Sequence, residues 1–143
     1  MRPIKFRAWD TVMQNWVVFV EEQIEIQKSN RSGYFKLKQF DPPRFILMQF
    51  TGLCDKNGKE IYEGDIVRNH WTNVAGIFIG DLWIVKFGDY DDSEIEYGSP
   101  AIGFYGENQG GEQQGIGNIP CDNGISIEVI GNIYENPELL KDK

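Results

Sequence analysis

The chain has 143 residues, 41% of them hydrophobic and 13% aromatic, with a formal net charge of −8. That size fits one domain able to bury a core, and the apolar content excludes wholesale disorder. No run reaches the roughly 18 apolar residues of a membrane span, and the basic start Met1–Arg7 is not followed by the apolar stretch of a secretory signal. Two distant cysteines, Cys54 and Cys121, are expected as reduced thiols of a cytoplasmic protein.

The charge is uneven. Residues 1–50 carry a net +3 and residues 51–143 a net −11. An acidic chain is repelled by phosphate backbones as a whole, because nucleic-acid affinity rests on Lys and Arg displacing counterions.

The pattern in chain order predicts short strands and turns. Ile4, Phe6 and Ala8 alternate with Lys5, Arg7 and Trp9, the period of a half-buried strand, and Trp16–Val20 fits its hairpin partner across a break at 10–15. Residues 21–28 and 34–40 read as strands around a turn at 29–33. Asp41-Pro42-Pro43 stops the second, and Phe45–Thr51 begins another. Asn57-Gly58 between β-like runs is a hairpin signal. In Tyr62-Glu63-Gly64-Asp65-Ile66-Val67, Gly64 suits a left-handed turn and Asp65 suits a carboxylate that accepts from the turn backbone. Small SH3-like barrels often open in this way. Strands are further expected at 76–79, 83–87, 101–105 and 125–134, with an acidic loop at 89–96 and a flexible, glycine-rich loop at 106–118. Asn136-Pro137-Glu138-Leu139-Leu140 closes as one helical turn.

Three blocks then carry a resemblance: MRPIKFRAWD (1–10), MQFTGLCDKNGKEIYEGDIV (48–67) and EVIGNIYENPELL (128–140). Together, about a third of the chain, they resemble the YopX family of small phage and prophage proteins. The resemblance implies phage or prophage origin in a bacterial host and a mostly-β fold ending in a small barrel. It brings no activity and no catalytic residue. The expected architecture is a single domain: strands over 1–50, then an SH3-like barrel over 51–143 made of short antiparallel strands, and one C-terminal helical turn.

The residues that carry chemistry are sparse. His70 is the one histidine, which allows at most one site built on a histidine base. Cys54, Cys121 and His70 are too few and scattered for structural zinc. Counted from Asp89, the sixth and twelfth positions of a calcium loop are Glu94 and Pro100, where glycine and glutamate are needed. Asp65, Asp81 and Glu96 are carboxylates with no pairing signal. The stretch 106–117 lacks the Lys and Ser/Thr of a phosphate loop. No enzyme activity, metal or cofactor is therefore expected. Most aromatics read as core, while Arg7, Trp9 and Trp16 in the basic half are the candidates for stacking on bases.

Two functions remain. One is a non-enzymatic interaction protein that self-associates and binds a host or phage protein; the alternative is a nucleic-acid binder using the basic half. The expected homo-oligomer places the N-terminal half of one subunit by the C-terminal half of another, through strand edges near 4–8 or 45–51.

Overall fold

The computed structural model describes residues 5–17, 26–28, 35–37, 44–91, 100–116 and 125–141. The expected turn at 29–33, the stop at 41–43, residues 18–20, 92–96 and 117–118, Ile4 and Cys121 lie outside them. The fold is mostly β, and its one described helical element is a single 3-10 turn, Pro137–Leu140, opened by Asn136 with Pro137 at its start. The strands in chain order are β1 Phe6–Asp10, β2 Asn15–Val17, β3 Ile26–Lys28, β4 Phe35–Leu37, β5 Phe45–Cys54 and β6 Glu60–Tyr62. They continue with β7 Asp65–Asn73, β8 Gly76–Asp91, β9 Pro100–Asn108, β10 Gln113–Gly115 and β11 Ile125–Asn132. The chain divides into two compact units, Phe6–Met48 and Met1–Lys5 with Gln49–Lys143. β5 runs from the first into the second.

In the smaller unit β1 pairs antiparallel with β2, Trp9 opposite Trp16, and β3 pairs with β4. The alternation expected for β1 fails at its end, where Ala8, Trp9 and Asp10 are all buried. Asp10 explains its own burial. Its Oδ1 accepts the N–H groups of Val12 and Met13 in the turn after β1, and both oxygens accept from Arg44. A buried carboxylate tolerates loss of water when donors replace it.

In the larger unit the sheet order is β10-β9-β8-β7-β11, all antiparallel, and the second part of β5 pairs with β6. The core is Ile61, Val67, Trp83, Val85, Ile116, Ile127 and Val129. Neither strand edge expected to be open is open: β1 lies between β2 and β5, and β5 lies between β1 and β6.

Two expectations are corrected here. The runs 76–79 and 83–87 are one sixteen-residue strand, β8. Arg68 faces Leu82 but His70 faces Ile79, so Gly80-Asp81 opposes Asn69 alone. The apparent break is a bulge, which absorbs one extra residue without ending the strand. The stretch 106–118, expected as a flexible loop, is a hairpin over its described residues: 106–108 belong to β9, 113–115 to β10, and Ile116 is only 2% exposed. Ladder hydrogen bonds and one anchored isoleucine offset the ordering entropy that its composition alone would leave uncompensated. Asn108 fixes the turn, its Oδ1 accepting from the N–H groups of Gly110 and Glu112.

The β8–β9 ribbon curls. Gly88 and Gly103 stand opposite each other at φ +148° and +158°, backbone that L side chains rarely adopt. Beyond this pair, Tyr90 stacks on Tyr105 at 5.0 Å and 19°, although Tyr105 faces Lys86, two side-chain rows away. The Asp91 N–H donates to Gln113 Oε1 at 3.0 Å, although Gln113 shares its row with Glu107 and Ile84. A flat ribbon would place those rows about 23 Å apart, at about 3.3 Å per residue. Bending at opposed glycines brings them together.

Two carboxylates organise the joints. In the β5–β6 loop, 55–59, Asp55 Oδ1 accepts from Asn57 N–H at 2.8 Å and Lys59 N–H at 2.9 Å, while Oδ2 accepts from Val129 N–H of β11 at 3.0 Å. The turn expected at Asn57-Gly58 is present, with Gly58 alone at positive φ, +81°. Burial pushes the Asp55 carboxyl up, but the N–H groups of Val129, Lys59 and Asn57 outweigh it and hold the group below the usual carboxylate range. Asp65 does what its position after Gly64 suggests: Oδ2 accepts from Tyr62 N–H at 2.8 Å, and Oδ1 from Asn132 Nδ2 at 3.3 Å.

Asp55→Ala is therefore expected to cost on the order of 3 kcal/mol in urea unfolding, since three N–H groups lose their acceptor. Asp55→Asn, which keeps one carbonyl oxygen, is expected to lose less. A loss below about 1 kcal/mol for the alanine variant would show that water replaces the carboxylate.

Arg44 holds the Asp10 carboxyl down from 3.8 to about 2, against its burial and with help from Met13 and Val12 N–H. A group depressed in the folded state contributes stability above its unfolded pKa and loses it as pH falls through the folded value. The melting-temperature gap between wild type and Asp10→Asn is thus expected to be full above about pH 4 and to close toward pH 2. A gap constant over that range would contradict this linkage.

Candidate functional site

The three aromatic and basic residues singled out in the sequence come together in the smaller unit. Trp9 and Trp16, opposite each other in the β1–β2 pair, meet edge to face with centroids 4.9 Å apart and planes at 76°. The Arg7 guanidinium lies over the Trp16 ring at 4.3 Å. Trp9 is 5% exposed, so its ring is core. Trp16 is half-buried and has Arg7 against its face. In the same unit Arg44, bound to Asp10, lies 5.2 Å from the Phe45 ring. This is a packed cation–aromatic cluster.

The larger unit holds the other candidates. Lys5 pairs with Glu60 and lies 5.2 Å from the Phe50 ring, and Tyr62 Oη donates to Glu60 at 2.8 Å. The Lys5 ammonium, with Tyr62, lowers the Glu60 carboxyl. Burial pushes the Glu63 carboxyl up, against one N–H bond from Gln49. His70 Nε2 is 3.1 Å from Glu128 Oε2 without hydrogen-bond alignment, and Lys56 Nζ approaches the same oxygen at 3.3 Å. A pocket of about 320 Å³ is lined by Asp81, Leu82, Asn108, Gln109, Gly110 and Glu112. Among the described residues no three His, Cys, Asp or Glu side chains gather to hold a metal. Of the three carboxylates without a pairing signal, Asp65 is committed to structure, Asp81 is exposed and Glu96 lies outside the described residues. Cys54 is exposed and forms no disulfide.

The feature that sequence reasoning missed is the β7–β8 hairpin beyond the bulge. Val74 is fully exposed at its turn, and Ile77 and Ile79 are 74% and 64% exposed on one face of β8. They stand opposite Thr72 and His70 of β7. Residues 69–80 contain no Asp, Glu, Lys or Arg. That absence was visible in the sequence, but it is equally the mark of a core strand: β5, Phe45–Cys54, is also uncharged and lies inside its sheet. A second exposed apolar pair, Phe87 and Ile102, lies on the core-facing side of β8 and β9, where Phe87 packs on Phe104 at 4.8 Å. No helix among the described residues is long and apolar enough to cross a membrane.

A comparison with the curated proteins finds no match. Among solved structures, the crystal structure of protein EF1440 from Enterococcus faecalis is similar, with 27% sequence identity and a TM-score of 0.55. The similarity covers 99% of this chain and 100% of that one. The family model described as YopX protein matches residues 5–141. Matched over nearly its whole length, the chain belongs to the YopX family.

Proposed function

We propose that this YopX-family chain is a phage- or prophage-encoded protein of the bacterial cytoplasm. It acts without catalysis, by self-association and by binding a host or phage protein. The observation that carries this reading is the β7–β8 hairpin, whose Val74, Ile77 and Ile79 are exposed in a stretch without formal charge. Exposed strands of soluble proteins are usually blunted by charge, and an apolar strand without it is a pairing surface. The titratable groups favour the same view: Asp10, Asp55 and Asp65 are saturated by structural donors, which leaves no built acid–base pair. The nucleic-acid alternative would draw on Arg7, Trp9 and Trp16, where one tryptophan is core and the other already stacks with the arginine.

Light scattering at micromolar concentration tests the reading. A mass above the 16.4 kDa of one chain is expected at both low and moderate salt, loosening only slightly with salt because apolar contacts dominate. A monomer at both salts would overturn self-association. Tight binding of single-stranded DNA or RNA that falls steeply with salt would favour the alternative.

A further inference from the structure

Resting on that reading, we infer that the β7–β8 hairpin is a self-recognition arm: it packs against the same arm of a second copy, Ile77 and Ile79 of each covering those of the other. Three observations bear on it. The arm leaves Val74, Ile77 and Ile79 exposed although it has the uncharged composition of the buried strand β5. It is covered on one flank only by its own fold, through the pairing of β7 with β11 at Trp71, His70 and Asn69. And the chain carries −8 overall, while residues 69–80 contribute none of it.

The last point selects the occupant. Two copies of an acidic chain repel each other, and the repulsion is weakest where neither presents a charge. A foreign partner would be recognised by directional polar or charged groups that set its register, and the arm offers none on the Ile77 and Ile79 side except His70. A two-fold contact needs no such code, because symmetry sets the register and each apolar residue meets its own equivalent. Ile77 and Ile79, two residues apart on one strand, give each copy a pair of side chains on a single face. The contact buries them from water in the way the core buries Ile61 and Val67.

Full-length Ile77→Lys/Ile79→Lys tests the arm against the wild type by analytical ultracentrifugation. Both positions are exposed, so the monomer should melt as the wild type does, which a thermal scan checks. The self-association constant is expected to weaken about 100-fold or more, the scale of losing two central apolar anchors. In a Cys54→Ser/Cys121→Ser background, Ile77→Cys should form an intermolecular disulfide under mild oxidation, while a cysteine placed at exposed Glu135 should not. An oligomer whose mass and affinity are unchanged in the lysine variant would overturn the arm and leave self-association standing through another surface. A wild type that is monomeric throughout would overturn both. A monomer that floats with phospholipid vesicles through the arm would assign it to a membrane surface and overturn the inference.

Discussion

A carboxylate taken out of water must find donors, and Asp55 finds three of them on two separate segments. Two belong to its own loop and shape the β5–β6 hairpin; the third is the Val129 amide of β11. The same loop sends the Lys56 N–H to the Ile127 carbonyl at 2.9 Å. Together these bonds set β11 in register beside the hairpin, and β11 in turn is the strand on which β7 lies. The position of β7 then determines where the β7–β8 arm leaves the core. Asp65 repeats the device at the start of β7, joining Tyr62 to Asn132. Neutral side chains at these two places would leave buried amides unsatisfied, with no other acceptor in reach of both segments.

Much of the fold was legible because alternation and turn chemistry are local. Gly64-Asp65, Asn57-Gly58 and Asn136-Pro137 each mark a turn that is found. What was not legible depends on partners distant in sequence. Gly80-Asp81 reads as a break until β7 supplies the ladder that makes it a bulge. Residues 106–116 read as a polar loop, because nothing local reveals that Gln113 and Gln114 pair with Glu107 and Gly106. Trp9 reads as outward from its period, yet the end of β1 buries both faces, one tied to Trp16 and the other to Arg44 through Asp10.

The site follows the same division. Grouping Arg7, Trp9 and Trp16 was sound as a statement of proximity, since all three contact one another in a β1–β2 pair. Their role reversed because mutual stacking satisfies the rings internally. The arm went unrecognised for the opposite reason: a run of Val, Ile and Phe without charge is the ordinary signature of burial, and only the fold reveals that nothing of the larger unit's core reaches Ile77 and Ile79.

The Asp55–Val129 bond also has a temporal side. It joins residues 74 positions apart, whereas β7, β8 and β9 follow one another and pair as neighbours. Closing a long loop is slower than zipping a meander, so the β7–β9 ribbon is the natural nucleus and the docking of β11 a late event. Until β11 arrives, the Asp55 carboxylate stays hydrated and the outer edge of β7 stays bare. The arm is thus built before the core beneath it is sealed. During that interval two nascent chains present each other with matching uncharged strands, and the order of folding and the order of assembly become one sequence of events.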